Sequence, residues 1–325
     1  NPITLKQELM FYDDESEIKL GKKVDKDILK EYGYYNDEKL QNYINEVGQR
    51  IAKVSDRNYL DYHFTVLDTP LINAFALPGG YIYITRELLA FLNSEAELAG
   101  VLAHEVGHVV GRDSINQLSR TRINWAIALA SLAAIPMTAQ AIELAAVTNT
   151  LMTSINLGYS REKEFQADKL SIKYTYKSGY DPYQITYFMK NLLRKGHSPT
   201  GYEIYLSSHP NMENRIMRTL AEAKITLSLN ESMYDDTQPE KARLNVLSDK
   251  YKTYLEGLPY GDKKSDNYKK FIKIYTAKGG ERLDQIVLSC LQDPNMVKEI
   301  SELNNLQPDS ILYSKQKIKL IVNNL

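Results

Sequence analysis

The sequence predicts an α+β protein that is mainly helical, with a small edge-exposed sheet in its body and a compact β-α-α-β module at its C-terminal end. Three observations carry this expectation. Apolar residues recur at helical spacing in long segments, as in Leu40, Tyr43, Ile44, Val47 and Ile51. Strand-like runs in the body are few and short, Tyr62–Leu67 and Tyr81–Thr85. After a polar stretch from Asn230 to Pro239 the pattern changes, and two strand-like runs bracket two short helical pieces. At 325 residues the chain exceeds one typical domain and falls short of three.

Taken in order, residues 37–54 form an amphipathic helix for which Asn36 is a plausible N-cap. Leu77-Pro78-Gly79-Gly80 makes a turn between the two short strands. Ser94-Glu95-Ala96-Glu97 is a capping box, with Glu97 at the third helical position, and it opens a helix that runs to about Gly111. Residues 125–147 are the most apolar stretch, but Pro136, Thr138, Gln140 and Glu143 interrupt them. The uninterrupted run is shorter than the ~20 residues that a bilayer span needs. The stretch therefore reads as two Ala-rich helical pieces: a buried pair, a lid over a site, or a surface that touches a membrane. Ser160 can cap a helix ending at Ser178-Gly179. Asp181-Pro182 places an N-cap before a first-turn proline, and His209-Pro210 precedes a further helix through Arg215. In the C-terminal module, Phe271–Tyr275 and Lys317–Val322 are strands, and the helical pieces flank Asp293-Pro294.

Composition narrows the function classes. Forty basic residues against 41 acidic ones give a net charge of −1, so there is no basic excess to neutralise a phosphate backbone, and nucleic acid is not an expected partner. The single cysteine, Cys290, excludes an intrachain disulfide and a Cys-rich zinc ribbon, and it is expected to be a small buried hydrophobe. The sequence begins Asn1-Pro2 without a signal peptide to read, which leaves room for one, or for a lipid anchor, before Asn1.

The five histidines carry most of the chemical information. His104-Glu105-Val106-Gly107-His108 is an H-E-x-x-H pattern on the capped helix. Residues i and i+4 share a helix face, so both imidazoles can reach one zinc ion, and Glu105 can stand beside the metal as a general base. Apolar residues surround the motif, as a helix buried behind an active site requires. A zinc peptidase needs a third protein ligand, and position 114 is serine, so the pattern with a third ligand six residues on fails. Glu164 lies on the next confident helix, with Asp168 one turn further along the same face, where it can accept the remaining N–H of a ligand histidine. A solvated acidic helix face is the alternative there. His63 and His197 read as structural or surface residues.

Asn73-Ala74-Phe75-Ala76-Leu77-Pro78-Gly79-Gly80, the strand after it, the His104–His108 motif, Glu164-x-x-x-Asp168 and Ser208-His209-Pro210 follow one another in this order. Together they resemble the zinc metallopeptidase family of the heat-shock membrane peptidases, the CAAX prenyl endopeptidases and the periplasmic quality-control peptidases, and most of all its soluble bacterial lipoprotein branch. The resemblance implies a zincin-like domain over residues 1–235, a linker or helical extension over 236–270, and zinc held by His104, His108 and Glu164. It also implies that Glu105 is the general base and Asp168 supports a ligand. Arg215 would orient nearby carboxylates. His209 would either close the fourth metal position and hold the enzyme latent or stabilise a developing oxyanion, with simple helix capping as the alternative.

An extended substrate would pair with Tyr81–Thr85 as an edge strand, which brings in Tyr81 and Tyr83, while Asn73 and Ala74 line the approach. The implied activity is endopeptidase cleavage of unfolded or misassembled polypeptides in the bacterial periplasm or cell envelope. Residues 271–325 resemble a lysin-motif module, which implies peptidoglycan as a partner, with a structural appendage as the alternative. Arg282 stands where that motif usually has Thr or Ser.

Overall fold

The computed structural model describes residues 12–119, 158–195, 202–231, 244–264 and 267–323. The apolar stretch 125–147 and His197 lie outside the described residues.

Helix α1 (Asp14–Tyr32) opens the described chain, with the Asp13 carboxylate accepting the Ser16 N–H. Its buried face is Glu17, Gly21, Val24 and Ile28, so it lacks the continuous apolar stripe by which a helix is read from sequence. Helix α2 (Glu38–Ala52) follows the expected amphipathic pattern, but its N-cap is Asp37 rather than Asn36. The Asp37 side chain accepts the Leu40 N–H at 2.9 Å, which Asn36 stands one residue too early to do.

Strands β1 (His63–Leu67), β2 (Ala74–Leu77) and β3 (Tyr81–Thr85) form one sheet in the order β1-β3-β2. β3 pairs in parallel with β1 and antiparallel with β2. Tyr81–Thr85 is therefore the central strand, contrary to the expectation from sequence, and its main chain is used on both sides. The edge is β2. Thr85 donates its N–H to the Asn73 carbonyl, and the register then alternates, so the main-chain groups of Ala74 and Ala76 point away from β3.

Helix α3 (Arg86–Phe91) leads into α4 (Glu95–Gly111), every residue of which is buried. The Ser94 hydroxyl caps α4 by accepting the Glu97 N–H at 3.0 Å. Reciprocally, the Glu97 carboxylate takes the Asn93 N–H at 2.7 Å. α4 packs against α5 (Arg161–Lys177), and Gly107 is what lets them close: a Cβ there would lie 3.0 Å from the Ala167 Cα. Ser160 stands at the α5 N-cap position but makes no side-chain capping bond. Helices α6 (Tyr183–Lys195), α7 (Tyr202–Ser208) and α8 (Met212–Glu231) complete the body.

The remaining elements are α9 (Ser248–Thr253), β4 (Pro259–Lys264), β5 (Asn267–Thr276), β6 (Glu281–Arg282), α10 (Leu283–Leu291), α11 (Met296–Asn304), β7 (Ile311–Leu312) and β8 (Lys317–Val322). β4, β5 and β8 form an antiparallel sheet, so pairing runs across residue 270, where the sequence reading sets a boundary. Two buried cations join this sheet to the body. Lys319 is fully buried, and its ammonium donates to the Ala90 and Leu92 carbonyls at 2.7 and 2.8 Å, at the C-terminal end of α3, where a cation is favoured. The buried Arg86 guanidinium bonds Asp68 and the Pro259 and Gly261 carbonyls. Each charge is buried only because partners satisfy it. Among the described residues one apolar cluster has members from Leu40 to Ile321, and a second lies beneath α1, with Val24 and Ile28 against Phe75, Leu77 and Tyr83. Cys290 is exposed, not buried as expected. It continues the stripe of Leu283, Ile286 and Val287, but in the last turn of α10 that stripe has passed the edge of the core.

Candidate metal centre

The spacing of the H-E-x-x-H motif places His104 and His108 on one face of α4, with their Nε2 atoms 3.1 Å apart. α5 presents Glu164 to both: its Oε2 lies 3.4 Å from His104 Nε2 and its Oε1 3.4 Å from His108 Nε2. His209, just past α7, places Nδ1 3.2 Å from Glu164 Oε2. One potential ligand atom from each of these four buried residues lies within 4.8 Å of the others.

The outer nitrogens of both α4 histidines meet carboxylates. His104 Nδ1 is 3.0 Å from Asp168 Oδ1, and His108 Nδ1 is 2.9 Å from Asp113 Oδ2. Each carboxylate favours the tautomer with a proton on Nδ1, which leaves the Nε2 lone pair facing the cluster. Arg215, fully buried, places Nη1 2.7 Å from Glu164 Oε2 and grips Asp168 at 2.6 and 2.8 Å. Burial alone would raise the Glu164 carboxyl, but the charges of Arg215 and His209 beside it hold it well below the usual carboxylate range. The same balance of burial against Arg215 lowers Asp168.

Glu105 is buried, and its Oε1 has no hydrogen-bond partner among the described residues. His209 Nε2 lies 3.8 Å from it. Tyr159 lies over His108, ring centroids 4.4 Å apart, and Tyr205 lies 4.5 Å from the His209 ring. Burial pushes both phenols well above their ordinary value, so both stay protonated.

The structure thus brings together His104, Glu105, His108, Glu164, Asp168, His209 and Arg215. Asn73 and Ala74 join them through β2: His209 Nε2 lies 3.4 Å from the Ala74 carbonyl, and the Ser208 hydroxyl donates to Asn73 Oδ1 at 3.3 Å. Tyr81 and Tyr83 do not join them. The Tyr83 hydroxyl donates to Asp25 and the Tyr81 ring stacks on His63, both on the central strand. Sequence reasoning missed Asp113, Tyr159 and Tyr205. Asp113 has a faint signal, an acid just past the end of the histidine helix, within reach of the last ligand turn.

The donor set fits a metal ion. Two imidazole nitrogens and a carboxylate that Arg215 keeps ionised face one buried point, and Glu164 Oε1, like Glu105 Oε1, has no hydrogen-bond partner among the described residues. A nitrogen- and oxygen-lined centre on an H-E-x-x-H helix, beside a short sheet whose edge strand β2 has its Ala74 N–H held by Asn73 Oδ1 and its Ala76 carbonyl by the Ser114 hydroxyl, defines the zinc-peptidase type of site. The chain belongs to peptidase family M48, whose family model matches residues 38–223 and so spans every residue of the cluster. Among curated proteins it is similar to the beta-barrel assembly-enhancing protease of Escherichia coli (strain K12), with 29% identity over 187 residues, 56% of this chain and 38% of that one. It is also similar to the mitochondrial metalloendopeptidase OMA1 of Schizosaccharomyces pombe, with 28% identity over 227 residues, 66% of this chain and 64% of the relative. The aligned region is thus well under half the length of the bacterial relative.

Proposed function

We propose that this chain is a zinc-dependent endopeptidase that hydrolyses internal peptide bonds of unfolded or misassembled proteins of the bacterial cell envelope. The observation that carries the reading is the convergence of His104, His108 and Glu164 on one buried point, with Glu105 beside it and its Oε1 without a hydrogen-bond partner among the described residues. A zinc ion bound there would polarise the scissile carbonyl and acidify a water molecule. Glu105 then accepts a proton from water and returns it to the leaving amine. Asp168 and Asp113 orient the two histidines, and Arg215 keeps Glu164 anionic. An extended substrate adds to the outward-facing main chain of β2 at Ala74 and Ala76. The name of the Escherichia coli relative, a protease that enhances beta-barrel assembly, supports an envelope setting. No helix among the described residues is long and apolar enough to cross a membrane. Mass spectrometry of casein digested by the full chain tests the proposal: internal fragments are expected, and trimming confined to the ends contradicts it.

His209 gives the site a latent state. It lies inside the ligand cluster and also against the Ala74 carbonyl, so it would fill the fourth position of a bound metal and part of the substrate edge at once. His209→Ala is expected to cleave casein faster than the parent, read as initial rate at equal zinc content. A slower variant would contradict latency and assign the side chain to oxyanion stabilisation instead.

Peptidoglycan is proposed as a second partner. Tyr313 and Ile311 are 61% and 71% exposed beside the turn at Gly279-Gly280, an apolar platform on which a sugar ring can stack. Co-sedimentation of the full chain with peptidoglycan is expected to be lost in Tyr313→Ala. Equal sedimentation of parent and variant contradicts the platform.

A further inference from the structure

Helix α1 precedes the family-matched region, yet it carries a buried carboxylate that ties two parts of the site together. Glu17 is 1% exposed. Its Oε1 accepts the Gly79 N–H at 3.1 Å, in the turn that ends β2. The same oxygen accepts from Arg57 Nη1 at 3.1 Å, and Nη1 also donates to the Val109 carbonyl at 2.9 Å, one residue past His108. A continuous path therefore runs from the tip of the edge-strand hairpin through Glu17 and Arg57 to the C-terminal end of α4.

The second oxygen closes a parallel path. Glu17 Oε2 lies 2.9 Å from Nε of Arg112, the residue that ends α4. Arg112 has φ +52°, a left-handed conformation that glycine would adopt more readily. An arginine there accepts that strain and gains an ion pair with Glu17 and a bond to the Tyr12 carbonyl. Packing makes the arrangement stiff. At Gly21 a Cβ would lie 2.0 Å from the Pro78 carbonyl oxygen, so α1 and the Pro78-Gly79-Gly80 turn meet backbone to backbone.

We infer that Glu17 is a positioning residue for substrate binding: it sets the distance between the β2 edge, where the substrate strand adds, and the α4 end that carries His108. The inference rests on the strand-addition reading above. Glu17 touches neither the metal ligands nor Glu105, so its loss acts on how well an extended chain is held, not on the metal or on proton transfer. Removing its charge leaves Arg57 and Arg112, buried or half-buried, with Asp14 as their one carboxylate among the described residues.

The test uses the full chain, a fluorogenic peptide and zinc determination. Glu17→Gln and Arg112→Gly are each expected to raise KM, by about tenfold for the former, the cost of one misplaced charge-assisted hydrogen bond. Both should keep kcat within about twofold and the zinc content of the parent. Arg112→Gly relieves the left-handed strain and so folds even if Glu17→Gln does not. Glu15→Ala, on the exposed face of α1, is the unchanged control. An unchanged KM in a folded variant overturns the inference, as does a loss confined to kcat or zinc. A scan of the parent with N-methylated peptides keeps the two readings apart. If no backbone methyl weakens binding, strand addition itself is wrong. If methyls weaken binding but the Glu17 and Arg112 variants bind normally, only the role of Glu17 is wrong.

Discussion

Glu105→Gln is expected to retain one zinc ion per chain and to lose casein cleavage by about 10²–10⁴-fold, the contribution of a positioned general base. Glutamine has the same size, so the fully packed α4 keeps its geometry and both histidines keep their Nδ1 carboxylate partners. What changes is proton affinity: an amide does not accept a proton near neutral pH. The Glu105 carboxylate is buried with Oε1 unpartnered among the described residues, an arrangement costly in a purely structural residue and expected of a base awaiting water. Metal analysis and initial rates on one preparation check it. Undiminished proteolysis with zinc retained would remove Glu105 from the chemistry.

Arg215→Met is expected to have the largest effect on stability. The guanidinium is fully buried and is the shared counter-charge of Glu164 and Asp168. Methionine fills similar space but leaves two buried carboxylates without it. Breaking a buried ion pair by removing one partner costs about 3–5 kcal/mol. For a chain of this size that lowers the melting temperature by roughly 10 °C. Glu164 would also lose the charge that keeps it ionised, so zinc affinity falls with stability. Thermal unfolding of the metal-free protein and chelator competition read the two effects separately. A shift under about 2 °C would show that Arg215 is replaceable.

Each half of the cluster was legible because helix periodicity ties sequence spacing to spatial position, whereas the meeting of the two halves followed only from the family resemblance. His104 and His108 stand four positions apart, as do Glu164 and Asp168, so each pair had to share a face whatever the rest of the chain did. The edge strand was not legible. Whether β2 or β3 is central depends on which strand β1 chooses, a contact between segments separated in sequence that leaves no mark in either strand's own pattern. Helix α1 escaped reading because Glu17 and Gly21 interrupt its buried face, and they do so because they serve the turn at Pro78–Gly80 rather than the core. Lys319 and Arg86 look like surface charges in the sequence. Their burial follows from carbonyls at the end of α3 and in β4 that only the folded chain brings to them.

On the proposed reading, one metal ion held by His104, His108 and Glu164 makes this chain an endopeptidase. Casein cleavage by the full chain, measured after removing metal with a chelator and again after adding back one equivalent of zinc, tests it most directly. Cleavage is expected to disappear and then to return with zinc bound at one ion per chain. Cleavage that persists in the metal-free protein would contradict it.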